Sequence, residues 1–223
     1  MKSKFFASSL LAVALASFCG LSQAESVKFT GFTHGSETVT VTLAGPNAPI
    51  VRTVSAGGFS TILNGGPSFE SYCVDVYQTI AFGSTYTDYS FAGLGHLFTN
   101  ANAYADLGRL FNTAGIVDTA LEEAAFQIAV WEIAYEKTGN AYNVFTDSAS
   151  FAGGTAASSG ALTLANTWLA NLAANSRPIT VLDSREHQDV IYAPVPEPET
   201  VLLMAVGLLG VAGAARRKAK SRA

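Results

Sequence analysis

The sequence predicts an α+β fold: a single β-rich domain with a buried central helix, preceded by a signal peptide and followed by a short C-terminal transmembrane helix. Three observations support this prediction. Residues 27–80 alternate repeatedly between apolar and polar side chains, as strands do. Residues 119–137 instead follow a helical pattern that is apolar on most of its circumference. Each end of the chain has an apolar run beside basic residues.

The N-terminal run has the three parts of a secretory signal peptide. Two lysines precede an apolar stretch over residues 5–21, and a small-x-small cleavage site follows at residues 22–24. We therefore assign residues 1–24 as a signal peptide, which predicts export through the Sec translocon and cleavage by signal peptidase. Cleavage removes Cys19 and leaves Cys73 as the single cysteine of the secreted chain.

Predicted strands dominate the first part of the body, which comprises residues 25–194. Strands that alternate with period two, separated by turn residues, are expected at residues 27–32, 38–43, 50–54, 59–63 and 71–80. The last of these strands carries Cys73, and it places Asp75 and Tyr77 on the same face as the cysteine.

Helices are expected in the middle of the chain, at residues 100–111, 119–137 and 161–175. Thr119 and Glu122 have capping-box spacing at the start of the second helix, and Gly139 supplies its stop. Because this helix is apolar on most sides, we expect it to run through the core. Residues 179–182 and 188–192 then form a predicted closing hairpin.

The charge of the body excludes one class of partner. The body carries six basic and fifteen acidic residues, a net charge near −9, whereas the whole chain carries −4. An acidic surface repels phosphate groups, so nucleic acid is not an expected partner. The length of the body suits one domain with a hydrophobic core and is short for two.

The C-terminal segment, residues 195–223, has three parts. Residues 195–200 (Val-Pro-Glu-Pro-Glu-Thr) are rigid and cannot form a helix. Residues 201–215 carry no charge, and a helix of this length spans about 22 Å, less than the roughly 30 Å hydrocarbon core. Five basic residues follow and are expected to stay cytoplasmic. The pattern fits a temporary anchor, and the apolar run alone also fits a permanent single-pass tail.

The order of these parts closely resembles the PEP-CTERM sorting signal of Gram-negative bacteria, with Pro196, Glu197 and Pro198 as its motif. The resemblance implies processing near this motif by exosortase, a membrane-embedded cysteine transpeptidase. It also implies that the apolar segment is a sorting helix. Such a helix anchors the protein transiently in the inner membrane before the protein reaches the cell surface or the extracellular matrix.

An unpaired cysteine in an exported chain predicts a reactive thiol, an intermolecular bridge, or a bond to something other than cysteine. Gln127 offers the third possibility. A thiolate can attack a glutamine carboxamide and expel ammonia, leaving an internal thioester, if the groups are pressed together away from water. The predicted apolar shield consists of Tyr72, Phe126 and Trp131. The thioester then reacts with an amine, typically that of a lysine.

The two segments that carry this pair resemble the motifs of the thioester domains of Gram-positive surface adhesins. Residues 72–75 (Tyr-Cys-Val-Asp) match an aromatic-Cys-hydrophobic-polar motif. Residues 126–131 (Phe-Gln-Ile-Ala-Val-Trp) match a hydrophobic-Gln-x-x-hydrophobic-hydrophobic motif. The resemblance covers residues 69–135 and implies that Cys73 and Gln127 are the bond-forming pair.

Together these features predict an exported, adhesin-like surface or matrix protein that attaches covalently to an amine-bearing partner. We expect no enzymatic activity, and we assign no catalytic residue and no cofactor. The alternative is a non-catalytic structural component of the exopolysaccharide or biofilm matrix, in which Cys73 acts as a small hydrophobe and Gln127 satisfies backbone groups. A third class, a cysteine hydrolase, needs a histidine beside Cys73.

Other polar residues give weaker signals. His34, His96 and His187 show no ligand spacing, so no metal site is expected. The glutamates of the second predicted helix are interpreted as a solvated edge and a capping group (Glu122, Glu123, Glu132 and Glu136). Asp75 and Asp88 are expected at ordinary surface positions.

Overall fold

The computed structural model describes residues 24–44, 49–91, 98, 100–194 and 206. The predicted signal peptide up to residue 23 lies outside these residues, as does the predicted sorting segment apart from Val206. Among the described residues, no helix has the length and apolar character needed to cross a bilayer. The fold described below is therefore that of the predicted body.

The described residues form both strands and helices, with strands in the majority of the elements. The strands are β1 (Glu25–Phe32), β2 (Glu37–Leu43), β3 (Ile50–Ala56), β4 (Phe59–Leu63), β5 (Ser68–Cys73), β6 (Thr85–Phe91), β7 (Ala149–Ala152), β8 (Thr180–Asp183) and β9 (Val190–Tyr192). The helices are α1 (Ala103–Ala114), α2 (Ala120–Tyr135), α3 (Gly154–Ser159) and α4 (Ala161–Ala170).

Six of these strands close into a barrel, in the order β1-β4-β5-β9-β8-β6. Every neighbouring pair in the barrel is antiparallel. A separate antiparallel sheet has the order β3-β2-β7. The predicted closing hairpin is confirmed as β8 and β9, which pair with each other and insert between β5 and β6 of the barrel.

The period-two pattern seen in the sequence produces the core face of each sheet. In β1 the side chains of Val27 and Phe29 are buried, and in β2 those of Val39, Val41 and Leu43 are buried. Alternate side chains in a strand point to opposite faces, so these residues line one face of their sheet. Burial of such side chains supplies the main favourable free energy of folding.

Helix α2 is the buried central helix that the sequence predicts. It packs against α1 and α4 on the helical side and against β3, β5 and β7 on the sheet side. The Thr119 hydroxyl accepts a hydrogen bond from the Glu122 amide, and the Glu122 carboxylate accepts one from that hydroxyl. This capping box satisfies a backbone donor that the first turn of a helix leaves without an intrahelical partner.

The predicted strand over residues 71–80 is wrong beyond Cys73, where β5 ends. The Asp75 carboxylate accepts a hydrogen bond from the Tyr77 amide at 2.7 Å, which forms a local turn. The Arg52 guanidinium donates to the Tyr77 carbonyl oxygen at 3.2 Å. These local bonds replace the ladder that the apolar alternation predicts, so Asp75 and Tyr77 do not share a strand face with Cys73.

The limits of two helices also differ from the sequence pattern by three residues or more, and three short elements have no counterpart in it. Helix α1 runs from residue 103 to 114 instead of 100 to 111. Helix α4 ends at Ala170 instead of residue 175, because the Asn171 side-chain amide donates to the Thr167 carbonyl and ends the turn. The elements that the pattern missed are β6, β7 and α3.

The cap of α2 gives the first testable prediction. We expect Thr119→Ala to lower the free energy of unfolding by about 1 kcal/mol, because it leaves an amide of the first turn without its side-chain partner. Chemical denaturation followed by circular dichroism measures this change. Thr163→Ala, on the exposed side of α4, is the matched control and should be neutral or slightly stabilising. Equal losses in the two variants contradict the capping role.

Candidate functional site

Cys73 and Gln127 meet where the end of β5 packs against α2. The Gln127 Oε1 atom accepts a hydrogen bond from the Cys73 backbone amide at 2.9 Å. The Gln127 Nε2 atom donates to the Cys73 carbonyl oxygen at 2.7 Å. Each residue is only 1% exposed. The Gln127 carboxamide therefore bonds to both the amide and the carbonyl group of the Cys73 backbone, as a neighbouring strand would.

The register of strand pairing in the barrel explains why a side chain, and not a strand, pairs with the backbone of Cys73. Pairing between β4 and β5 stops at Phe59 and Ser71, two residues before Cys73. On the other edge, β5 pairs with β9 through Cys73 and Val190. The free edge at the end of β5 leaves a backbone donor and acceptor that need partners once they are buried. Gln127 supplies both.

The Cys73 sulfur has a polar environment within an otherwise apolar site. Its Sγ atom donates to the Asp75 carbonyl oxygen at 3.0 Å. Burial raises the pKa of the thiol well above its usual value, while the nearby Trp131 indole N–H acts in the opposite direction. That N–H lies close to the sulfur but has no partner that meets hydrogen-bond geometry. At neutral pH the group is therefore a protonated thiol.

A cavity of about 320 Å³ opens onto this pair. Cys73, Gln127 and Trp131 line it, together with Gln188 and the aromatic rings of Phe32, Phe59 and Phe82. The three phenylalanine rings contact one another with centroid separations of 5.0 to 5.8 Å. The wall around the pair mixes these rings with aliphatic and polar side chains, and Arg52 is the charged residue among them.

The three predicted shielding residues occupy two different places. Trp131 lines the cavity beside Cys73. Tyr72 and Phe126 pack against each other, with ring centroids 4.3 Å apart, and neither of them lines the cavity. Tyr72 precedes Cys73 on β5, so its side chain points to the opposite face of the strand. These two rings support the packing of β5 on α2 from the far side of the sulfur.

The interpretation of the α2 glutamates as a solvated edge is wrong for three of the four. Glu122 caps the helix, as predicted. Glu123, Glu132 and Glu136 are each 0% exposed. Each accepts a backbone amide hydrogen bond, from Gly58, Asn143 and Ser148 respectively. Buried carboxylates need such partners, and helical periodicity alone gives no sign of the loops that donate them.

A histidine and two glutamates come together one helical turn before Gln127, at the start of α2. His34 Nδ1 lies 2.7 Å from Glu123 Oε1 and 3.9 Å from Glu70 Oε1. The contact with Glu123 raises the pKa of His34. Because the three residues are far apart in the sequence, no spacing motif could have indicated this cluster. We call it the His34–Glu70–Glu123 cluster.

A second polar group contains a serine, a histidine and an aspartate. The Ser184 hydroxyl donates to the Asp88 carboxylate and accepts the Glu186 and His187 amides, which makes it a turn cap. His187 uses its Nδ1 atom toward Asp88 at 3.1 Å. That same atom lies nearest the serine, so the imidazole does not bridge Ser184 and Asp88 as a hydrolase triad requires. Asp88 is exposed, as predicted, and it is also part of this polar cluster.

The positions of the histidines bear on the hydrolase alternative. His34 and His187 have carboxylate partners elsewhere, and no histidine is among the residues that line the Cys73 cavity. His96, Pro196, Glu197 and Pro198 lie outside the described residues. Within the described part of the chain, Cys73 therefore has glutamine and tryptophan side chains beside it and no imidazole base.

Comparison with known families identifies the C-terminal segment. Residues 194–218 match the PEP-CTERM protein-sorting motif. This motif marks an exported protein with a C-terminal membrane anchor that exosortase processes. No curated protein and no solved structure matches the chain significantly.

One of the buried α2 carboxyls gives a prediction about pH. Burial raises the pKa of Glu132 from its ordinary value of 4.5 to about 8 in the folded protein. The unfolded chain therefore loses this proton at a lower pH than the folded protein does. The protonated Glu132 carboxyl therefore contributes to the free energy of unfolding at low pH, and this contribution is lost as the pH rises from about 4.5 to about 8. Glu132→Gln cannot ionise and should not lose this contribution.

The measurement is the free energy of unfolding of wild type and Glu132→Gln across pH 5 to 8. The difference should move in favour of the variant by up to about 1.4 kcal/mol per pH unit. Glu122→Gln is the control, because the pKa of that exposed carboxyl is lowered by Thr119 and does not shift into this range. Parallel curves for wild type and Glu132→Gln contradict the assignment.

Proposed function

We propose that this exported, exosortase-sorted protein is an adhesin-like module of the cell surface or extracellular matrix. In this proposal its body forms an internal thioester between Cys73 and Gln127 and attaches covalently to an amine-bearing partner. The observation that carries the proposal is the pair of hydrogen bonds between the Gln127 carboxamide and the Cys73 backbone in a buried site. The sequence resemblance to thioester domains points to the same two residues.

The proposed reaction conserves atoms and charge. The Cys73 sulfur attacks the Gln127 carboxamide carbon, the carbon–nitrogen bond breaks, and ammonia leaves with the thiol proton. An incoming amine then attacks the same carbon, the carbon–sulfur bond breaks, and the thiol is restored. One molecule makes one bond to its partner, so the protein is a single-use attachment module and not an enzyme with turnover.

Three features of the site favour this chemistry. The carboxamide is held against the cysteine by two hydrogen bonds, which replaces a random encounter with a fixed geometry. Burial of both residues keeps water from hydrolysing a thioester. The Trp131 indole N–H favours negative charge on the sulfur, as an attacking thiolate requires. Attack also requires the sulfur to leave the Asp75 carbonyl oxygen.

A second candidate function rests on the same contacts. The Gln127 amide satisfies the backbone at the end of β5 without any covalent bond, and the thiol has its own acceptor. A protein that uses the pair only for packing would be a non-catalytic structural component of the exopolysaccharide or biofilm matrix. Chemistry at Gln127 distinguishes the two candidates.

Intact-mass spectrometry of the purified secreted chain tests the thioester. We expect the mass to be lower than the sequence mass by one ammonia, because the bond forms spontaneously in the folded site. Methylamine should then add to Gln127, which peptide mapping locates. Cys73→Ala and Gln127→Ala should each restore the unmodified mass and prevent labelling.

Gln188→Ala is the matched control, since Gln188 lines the same cavity and holds no bond to the carboxamide. It should keep both the ammonia loss and the labelling. An unmodified wild-type mass, with no methylamine incorporation in the folded protein, contradicts the thioester and favours the structural component.

Sorting has a separate test in cells that express exosortase. Replacement of Pro196, Glu197 and Pro198 by alanine should abolish processing and leave the full-length protein in the inner-membrane fraction. Glu199→Ala, next to the motif, is the control and should be processed normally. Immunoblots of membrane, surface and medium fractions measure the outcome. Normal release of the triple variant contradicts recognition of this motif.

A further inference from the structure

We infer that the His34–Glu70–Glu123 cluster is a binding site for a divalent transition-metal cation, with Zn²⁺ the ion whose ligand preferences it fits. Three separate parts of the fold supply the ligands. His34 lies between β1 and β2, Glu70 lies on β5, and Glu123 lies in the first turn of α2. One nitrogen and two carboxylate oxygens, one from each residue, lie within 4.8 Å of one another.

The donor set favours zinc over the common hard cations. Zinc takes imidazole nitrogen and carboxylate oxygen at about 2.0 to 2.2 Å, often with three protein ligands and one open position. Calcium and magnesium prefer ligand sets made only of oxygen. Ligand atoms on a tetrahedral zinc lie roughly 3.3 Å apart, given these bond lengths. The separations of 2.7 and 3.9 Å from His34 Nδ1 bracket that value, so small side-chain shifts complete the geometry.

An atom of Glu70 gives independent support for a missing ligand. Glu70 Oε1 is buried and has no hydrogen-bond partner that meets normal geometry. It is also the Glu70 atom nearest to His34, at 3.9 Å. A buried carboxylate oxygen without a partner lowers the stability of the fold, because it has lost its hydrogen bonds to water and makes none within the protein. A cation between Glu70 and His34 satisfies it.

The backbone leaves room beside the two carboxylates. A Cβ atom at Gly58 would come within 2.4 Å of Glu123 Oε2 and 2.9 Å of Glu70 Oε1. Only glycine therefore allows both carboxylates to converge here. The Gly58 amide and the Tyr72 hydroxyl each donate to Glu123 Oε2 at 3.0 Å. These bonds orient the glutamate and leave Oε1 directed at His34, as the outer shell of a metal site does.

The charge of the cluster also matches a divalent cation. The cluster contains two glutamate side chains and one histidine, so a divalent cation can balance up to two negative charges there. The described cationic group that contacts these two carboxylates is His34, whose side chain is 39% exposed. A cation can reach the site from the exposed side of His34.

The site is separate from the proposed thioester, although both use α2. Glu123 precedes Gln127 by one helical turn, and the Cys73 sulfur is not a ligand. A bound ion ties the β1–β2 connection, β5 and α2 together, and these include the two elements that hold Cys73 and Gln127. Failure of the thioester therefore leaves the metal site untouched, and Cys73→Ala should bind zinc as wild type does.

The test uses the untagged full chain after removal of metal with a chelator. At a zinc concentration about 100 times the Kd, we expect the Tm of wild type to rise by roughly 5 to 10 °C. Isothermal titration should give one zinc per chain. His34→Gln and Glu70→Gln, both at partly exposed positions, should lose the shift and weaken binding by at least about tenfold.

His187→Gln is the matched control, because His187 also contacts a carboxylate but lies outside the cluster. It should keep the full Tm shift. If Glu70→Gln does not fold, His34→Gln decides the question together with the visible absorption of a Co²⁺ derivative. No zinc-dependent shift in wild type, or an equal shift in wild type and His34→Gln, overturns the proposal.

Discussion

The double hydrogen bond between Gln127 and the backbone of Cys73 is the contact on which the site depends. It exists because β4 begins at Phe59, opposite Ser71, and so does not extend along the last two residues of β5, where Cys73 is buried. Buried backbone groups must find partners. Here the partner is a side chain from a helix, so the junction of the barrel with α2 is fixed by polar contacts as well as by packing.

The same constraint recurs along the whole of α2. The helix is buried on nearly every side, yet it and its C-cap residue carry four polar side chains that are almost fully buried, namely Glu123, Gln127, Glu132 and the C-cap Glu136. Each accepts a hydrogen bond from a backbone amide in a strand or loop outside the helix. The helix therefore organises the connections around it, and their positions depend on its register.

This arrangement leaves the fold sensitive to charge. Burial raises the pKa of Glu70 and Asp189 to about 7 and that of Glu132 to about 8, so carboxyls inside an acidic protein hold protons near neutral pH. Only His34 offsets the carboxylates of its cluster among the described residues. The two proposals thus concern neighbouring turns of α2: a cavity at Cys73 and Gln127, and a cluster of a histidine and two glutamates at Glu123.

The sequence by itself determined strands β1 to β4, the capped central helix, the closing hairpin and the sorting motif, because these depend on local periodicity, capping residues and short contiguous motifs. It also singled out Cys73 and Gln127, through cysteine count and flanking residues. Only the tertiary structure decided that β5 stops at Cys73 and that Glu123 is buried beside His34 and Glu70. Those outcomes depend on where β4 begins and on which loops reach α2, and contacts between residues distant in the chain leave no periodic signal in it.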